Sequence, residues 1–266
     1  MTLTKKILIV ANWKMNLNVS QASLLVHKLD KKIPIHKDLE VVLAPPMLQL
    51  QPLSLQIDHR KFKLASQDAY YKDEGAYTGQ VSFTMLSHLV QYGIVGHSER
   101  RNIFNESLTE TAQKVAAAYR NGITPILCVG ETKIERLSGE TNQVLHDQVV
   151  SALSNITSEE VRSLVIAYEP VWAIGNGEPA KPKDVANAIK TIKLNVLELY
   201  GKKAAEEVRI LYGGSVTPDT VSGYIRLPEV DGLLVGGASL NYLSFSDIVA
   251  NAYRVGRGLT TKQDKA

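Results

Sequence analysis

Eight short apolar runs are spaced along the chain: Ile7-Ala11, Val41-Ala44, Leu64-Ser66, Gly93-Val95, Ile126-Val129, Leu164-Tyr168, Val208-Tyr212 and Gly232-Val235. Each is nearly continuous rather than alternating, which predicts parallel strands covered on both faces. Between them the apolar residues recur with a helical period. Ala22, Leu25, Val26, Leu29 and Ile33 share one helical face, as do Val185, Ala188, Ile189, Ile192, Val196 and Leu199. Ser107 with Glu110, Thr157 with Glu160 and Ser244 with Asp247 have the spacing of capping boxes. Thr217 before Pro218 predicts an N-cap with proline in the first turn. No Ser/Gly-rich or Pro-rich linker interrupts the alternation. Strand and helix in turn over about 250 residues predict an α/β protein, a single-domain (β/α)8 barrel over residues 1–256. Residues 257–266 form a polar tail expected to fray. A doubly wound sheet is the alternative, disfavoured because every strand is followed by its own polar loop.

Composition narrows the function classes. The 266 residues are 44% hydrophobic and 21% charged, an ordinary globular balance. A formal net charge of +3, without a basic run, argues against a nucleic-acid or membrane partner. A single cysteine, Cys128, excludes an internal disulfide and sits in an apolar run that predicts burial. The run after Lys5-Lys6 is too short for a secretory signal, and no run approaches the ~18 apolar residues of a membrane span. The N-x-S/T triplets at Asn18, Asn105 and Asn155 are then chance, and a cytoplasmic location follows.

Polar residues gather just after the strands. Asn12 and Lys14 follow the first, His97-Ser98-Glu99-Arg100-Arg101 the fourth and Glu169 the sixth. Gly213-Gly214-Ser215 follow the seventh and Gly236-Gly237 the eighth. In a barrel these exits share one face, where active sites lie. The two Gly-Gly turns, one βα unit apart, put bare main-chain N–H groups before helix starts, which suits a phosphate. Either turn alone would be an ordinary tight connection. Glu169 precedes the apolar Val171-Trp172-Ala173-Ile174 segment that closes in Gly175-Asn176-Gly177, the pattern of a base under a lid that excludes water. A carboxylate beside such a lid is expected to have a raised pKa and to be a better base. His97, before a helix start, is expected to be a neutral imidazole able to donate to a carbonyl. Lys14, between Trp13 and Met15, supplies a cation suited to an enolate. Glu99 is as consistent with an ordinary charged turn as with a direct role.

A base, a neutral histidine, a lysine and a phosphate clamp together imply proton removal beside a carbonyl, an enediolate, and return of the proton to the neighbouring carbon. That is aldose–ketose isomerisation of a small phosphorylated sugar. No metal, dinucleotide or nucleotide motif is present, so cofactor-free chemistry is expected.

These motifs resemble the triosephosphate isomerase family. Asn12-Trp13-Lys14-Met15-Asn16, Gly96-His97-Ser98-Glu99-Arg100-Arg101, Tyr168-Glu169-Pro170-Val171-Trp172-Ala173-Ile174-Gly175, Tyr212-Gly213-Gly214-Ser215-Val216 and Asp231-Gly232-Leu233-Leu234-Val235-Gly236-Gly237-Ala238-Ser239-Leu240 stand in that family's order and spacing. The resemblance implies a TIM barrel that interconverts D-glyceraldehyde 3-phosphate and dihydroxyacetone phosphate. Glu169 would be the base and His97 the electrophile. Lys14 and Asn12 would stabilise the enediolate, while Gly175, Ser215, Gly236 and Gly237 hold the phosphate. Residues 170–180 would form the lid. Glu99, Thr78 and Tyr212 would support the site. The family's homodimer would form through the Tyr71–Gln80 loop, with Thr78 near the partner's Asn12 and Lys14.

Three departures stand out: Gln80 for a glutamate expected to pair with an arginine at Arg101 across the interface, Glu178-Pro179-Ala180 at the second lid hinge, and Gln67-Asp68-Ala69 after the third strand. Alternatives are another phosphosugar isomerase or epimerase on the same barrel, or a non-catalytic phosphate-binding relative.

Overall fold

The computed structural model describes residues 6–175 and 179–259. Eight parallel strands close into a barrel in sequence order, with β8 paired back to β1. They are β1 (Ile7–Asn12), β2 (Leu39–Ala44), β3 (Phe62–Ser66), β4 (Tyr92–Val95), β5 (Thr124–Val129), β6 (Val165–Tyr168), β7 (Arg209–Tyr212) and β8 (Gly232–Val235). Helices connect them. In chain order these are α1 (Val19–Lys32), α2 (Met47–Gln56), α3 (Phe83–Leu86), α4 (Ser98–Ile103), α5 (Leu108–Arg120) and α6 (Lys133–Leu137). After them come α7 (Thr141–Leu153), α8 (Ser158–Ser163), α9 (Pro182–Glu207), α10 (Val221–Ile225) and α11 (Tyr242–Gly256). Among the described residues, no helix is long and apolar enough to cross a membrane.

The continuous apolar runs have a simple cause. Strand side chains alternate in direction, and here both directions are dry. Leu8, Val10, Val42, Ala65, Ile94, Ile126, Ala167 and Leu234 belong to one buried cluster, which fills the barrel. Ile9, Val41, Leu43, Leu64, Leu127, Ile166, Ile210 and Leu233 belong to the other, with the helices. Closure between β8 and β1 needs Gly232: a Cβ there would lie 1.9 Å from the Leu8 carbonyl oxygen.

The N-terminal mouth is shut by a polar cluster on the first residues of three strands. The Tyr92 hydroxyl donates to Glu40, Arg209 Nη2 donates to Tyr92 Oη at 2.9 Å, and Arg209 Nη1 lies 3.6 Å from Glu40 Oε1. Burial first, then Glu40, push the Tyr92 hydroxyl up to about 12, against the pull of Arg209.

Capping boxes form at Ser107–Glu110 and Thr157–Glu160, and also at Asn18–Gln21 and Thr132–Glu135. The box expected at Ser244–Asp247 is not formed: α11 starts three residues earlier, with Asn241 Oδ1 accepting the Leu243 and Ser244 N–H groups. An asparagine at the N-cap satisfies two orphan donors itself, so Ser244 falls inside the first turn. Thr217 and Thr220 hydrogen-bond reciprocally, but the residues after Pro218 form a turn and α10 begins only at Val221. Of the stretch expected to fray, Arg257 is tied to Asp38 at 2.9 Å, and the Leu259 N–H donates to the Arg254 carbonyl. Residues 260–266 lie outside the described residues.

Candidate active site

The strand exits converge on a cavity of about 350 Å³ at the C-terminal mouth, lined by Asn12, Lys14, His97, Glu169, Gly175, Ser215, Gly236 and Gly237 among others. All the residues assigned to catalysis and substrate binding are therefore brought together. Glu99 borders a smaller adjoining cavity of about 200 Å³ that shares Asn12, Lys14 and His97. Tyr212 lies beneath the floor, fully buried and stacked on Tyr224 at 4.0 Å. Its ring packs so close under the turn that a Cβ on Gly214 would come within 2.2 Å of the hydroxyl oxygen. Thr78 stands apart, exposed on the loop after β3.

His97 caps α4. Its Nδ1 accepts the Glu99 N–H at 3.2 Å, which leaves Nε2 as the ring nitrogen that faces the cavity. Nε2 lies 2.9 Å from Glu169 Oε1, and Glu169 Oε2 accepts the Ser98 N–H at 2.9 Å. The Glu169 pKa departs from expectation. Burial pushes its carboxyl up, but the His97 ring, then Arg101 and the Ser98 N–H, pull harder the other way and hold it below the ordinary glutamate value. The apolar lid is not what the carboxylate meets in this arrangement; it rests on two donors instead.

Lys14 leaves β1 with φ 53°, in the left-handed region that lysine rarely adopts. Its N–H donates to Asn12 Oδ1 at 3.1 Å and its Nζ to Glu99 Oε1 at 2.7 Å. Glu99 thus meets the site through Lys14. Arg101 does not reach outward as expected. Its guanidinium donates to the Gly96, Cys128 and Gly130 carbonyls of its own chain. The outward neighbour, Arg100, pairs with Glu106 at 2.9 Å and Asp68 at 3.3 Å. Cys128 is buried as predicted, and burial followed by Glu169 pushes its thiol well up.

The two Gly-Gly turns line the cavity, but the helix-dipole part of the expectation fails. A single 3-10 turn, Gly237–Leu240, follows β8, and the helix after β7 starts six residues past Ser215, at Val221. The local N–H groups, rather than a macrodipole, make this wall suited to an anion.

The model of the triosephosphate isomerase family matches residues 7–252. The chain is 44% identical to the triosephosphate isomerase of Caldanaerobacter subterraneus subsp. tengcongensis over 245 residues, 91% of this chain and 98% of that protein. It is 41% identical to that of Streptococcus suis over 244 residues, with the same coverage, and 40% identical to that of Clostridium beijerinckii over 248 residues, 92% and 99% of the two chains. The chain belongs to the triosephosphate isomerase family.

Around this triosephosphate isomerase site, Glu131 was not singled out from sequence, and Gln67 was noted there only within the departure after the third strand. Glu131, fully buried after β5, accepts from the Tyr168 hydroxyl at 3.1 Å and from Trp172 Nε1 at 2.8 Å, while the Arg136 guanidinium stacks over Trp172 at 4.2 Å. These contacts hold the first hinge of the expected lid. The described parts of that lid are Pro170 to Gly175, with the 3-10 turn Val171–Ala173, and Pro179-Ala180, where the buried Ala180 carbonyl accepts from the Tyr224 hydroxyl at 2.8 Å; Asn176, Gly177 and Glu178 lie outside the described residues. Gln67, after β3, bonds to Lys14. Both Glu131 and Gln67 obey the strand-exit rule that found Glu169, and that rule applied to β3 and β5 would have found them. Among the described residues no cluster of His, Cys, Asp and Glu could hold a metal ion.

Proposed function

We propose that this protein interconverts D-glyceraldehyde 3-phosphate and dihydroxyacetone phosphate by proton transfer through an enediolate, with the barrel of residues 1–256 as one catalytic domain. The observation that carries this reading is the buried Glu169–His97 pair in one cavity with Lys14 and the Gly213-Gly214-Ser215 and Gly236-Gly237 turns. Glu169 moves the proton between the two carbons, and His97 Nε2–H polarises the substrate oxygens. Lys14 and Asn12 stabilise the negative charge that develops there. Gly175, Ser215, Gly236 and Gly237 hold the phosphate. The His97 Nε2 that lies 2.9 Å from Glu169 Oε1 must turn to the substrate oxygens, so substrate parts that pair. Closing the 170–180 lid shields the enediolate from water. A cavity of about 350 Å³ lies at the small end of ligand pockets and suits a small phosphorylated substrate.

The active form is a homodimer joined through the Tyr71–Gln80 loop, with Thr78 of one protomer near the site of the other. Met15 and Phe104, exposed apolar side chains that border the same cavity beside the site, support this reading. The deciding experiment is a coupled assay with glyceraldehyde 3-phosphate and, separately, pentose phosphates, alongside light scattering. Turnover of the triose alone by a dimer is expected. Preference for a pentose phosphate, or no turnover with phosphate still bound, would replace the proposal with one of the two alternatives.

A further inference from the structure

Gln67 follows β3, half-buried, and borders the adjoining 200 Å³ cavity rather than the 350 Å³ one. Its Nε2 donates to the Lys14 carbonyl at 2.9 Å and to the Ala44 carbonyl at 2.8 Å. Both partners are acceptors, so only the nitrogen of the amide can face them. The Ala44 oxygen also accepts the Trp13 N–H at 3.1 Å, which uses both of its lone pairs. The exits of β1, β2 and β3 are thereby tied together through one side chain.

What this tie holds is the backbone of Lys14. With φ at 53°, that residue sits where a long side chain crowds its own main chain. Such a conformation persists only where its surroundings over-determine it. Here the N–H is held by Asn12 Oδ1 and the carbonyl by Gln67 Nε2. Released from Gln67, the peptide after Lys14 is free to rotate, φ relaxes to negative values, and the direction of the side chain changes with it. Glutamine has both the length and the donor this tie needs. Asparagine is a methylene shorter, and an ionised glutamate would set an oxygen against two carbonyl oxygens.

We propose that Gln67 is a positioning residue that holds Lys14 in its left-handed conformation and so aims the ammonium into the cavity. The inference rests on the reading above in which Lys14 stabilises the enediolate. Gln67 acts on substrate only through Lys14.

The test is a double-mutant cycle read by calorimetric binding of 2-phosphoglycolate, which carries a phosphate and two coplanar oxygens like the enediolate, and by steady-state kinetics. Gln67→Met removes the donor at similar length. It is expected to weaken 2-phosphoglycolate about tenfold and to lower kcat more than it raises KM. In the Lys14→Ala background the same change is expected to cost less than about twofold, because the residue it positions is gone. Unchanged binding by Gln67→Met, or an equal loss in both backgrounds, overturns the inference and makes Gln67 a structural residue. Should Lys14→Ala itself leave binding and turnover intact, the role of Lys14 falls, and this inference with it. If Gln67→Met does not fold, Gln67→Glu serves. Its protonated carboxyl restores one donor, so its affinity relative to wild type should improve as pH falls; a ratio independent of pH overturns the inference.

Discussion

The barrel carries a polar cluster at each mouth, and the two are built by opposite rules. At the N-terminal mouth Glu40, Tyr92 and Arg209 spend their groups on one another, on strand starts of ordinary geometry. At the C-terminal mouth Glu169, His97, Lys14 and Glu99 are also paired, at 2.9 Å and 2.7 Å, yet all four border open volume. There the backbone is strained as well: a lysine at positive φ costs of order 1–3 kcal/mol. Pairing and burial therefore do not distinguish a structural cluster from a functional one. What distinguishes them is whether the paired groups face space that another molecule can enter, and whether the chain gives up stability to keep them there.

That comparison can be broken from either side. The largest effect is expected from Glu169→Gln, which keeps the shape and one of the two acceptors but removes the base. kcat/KM should fall by about 10³–10⁴, while the buried donor left unpaired costs only about 1–3 kcal/mol of stability. Near-wild-type turnover would put the base elsewhere. Arg209→Met is the mirror experiment. It strands the Glu40 carboxylate at the opposite mouth and should cost about 2–4 kcal/mol in denaturant unfolding while kcat/KM stays within about twofold. A loss of activity without loss of stability would mean that the two mouths are coupled.

The smallest effect concerns the rim loop that the dimer reading depends on. Asp73 accepts from Arg120, Asn121 and Thr84, and these bonds, led by Arg120, hold its carboxyl down to about 2. Its folded pKa lies below the unfolded value of about 3.9. The stabilisation is thus fully present above that value and is lost as pH falls towards 2. The melting-temperature gap between wild type and Asp73→Asn should be constant near neutrality and shrink below about pH 4. A gap that does not change with pH would show that the carboxylate's charge is idle.

The barrel was legible because its cause is local and repeated. Both faces of every strand are buried, so each strand announced itself as an apolar run, and the ends differ from the expectation by two residues or fewer. The site was legible for the same reason: strand exits share a face, so Asn12, Lys14, His97 and Glu169 could be placed together without knowing any distance. What was not legible depended on distance. The Glu169 pKa was misjudged because sequence shows the apolar lid beside it but not His97 and Ser98 across the barrel, 72 and 71 positions earlier. Arg101 was placed at the interface on the family resemblance, and the Gly96, Cys128 and Gly130 carbonyls that it meets around the ends of β4 and β5 are invisible in one dimension. The Asn241 cap was overlooked because Ser244–Asp247 fits the capping pattern equally well.

The phosphate wall proposed at Gly213-Gly214-Ser215 and Gly236-Gly237 has a consequence for how this protein tolerates change. A grip made of peptide groups offers nothing for truncation to remove, so a scan that trims side chains to alanine would pass over it at Ser215 and could act at the glycines only by adding a methyl. Such a site fails by gain of atoms, never by loss. Nor does it carry a proton to give up, so its hold on the phosphate should vary with pH only as the phosphate itself does.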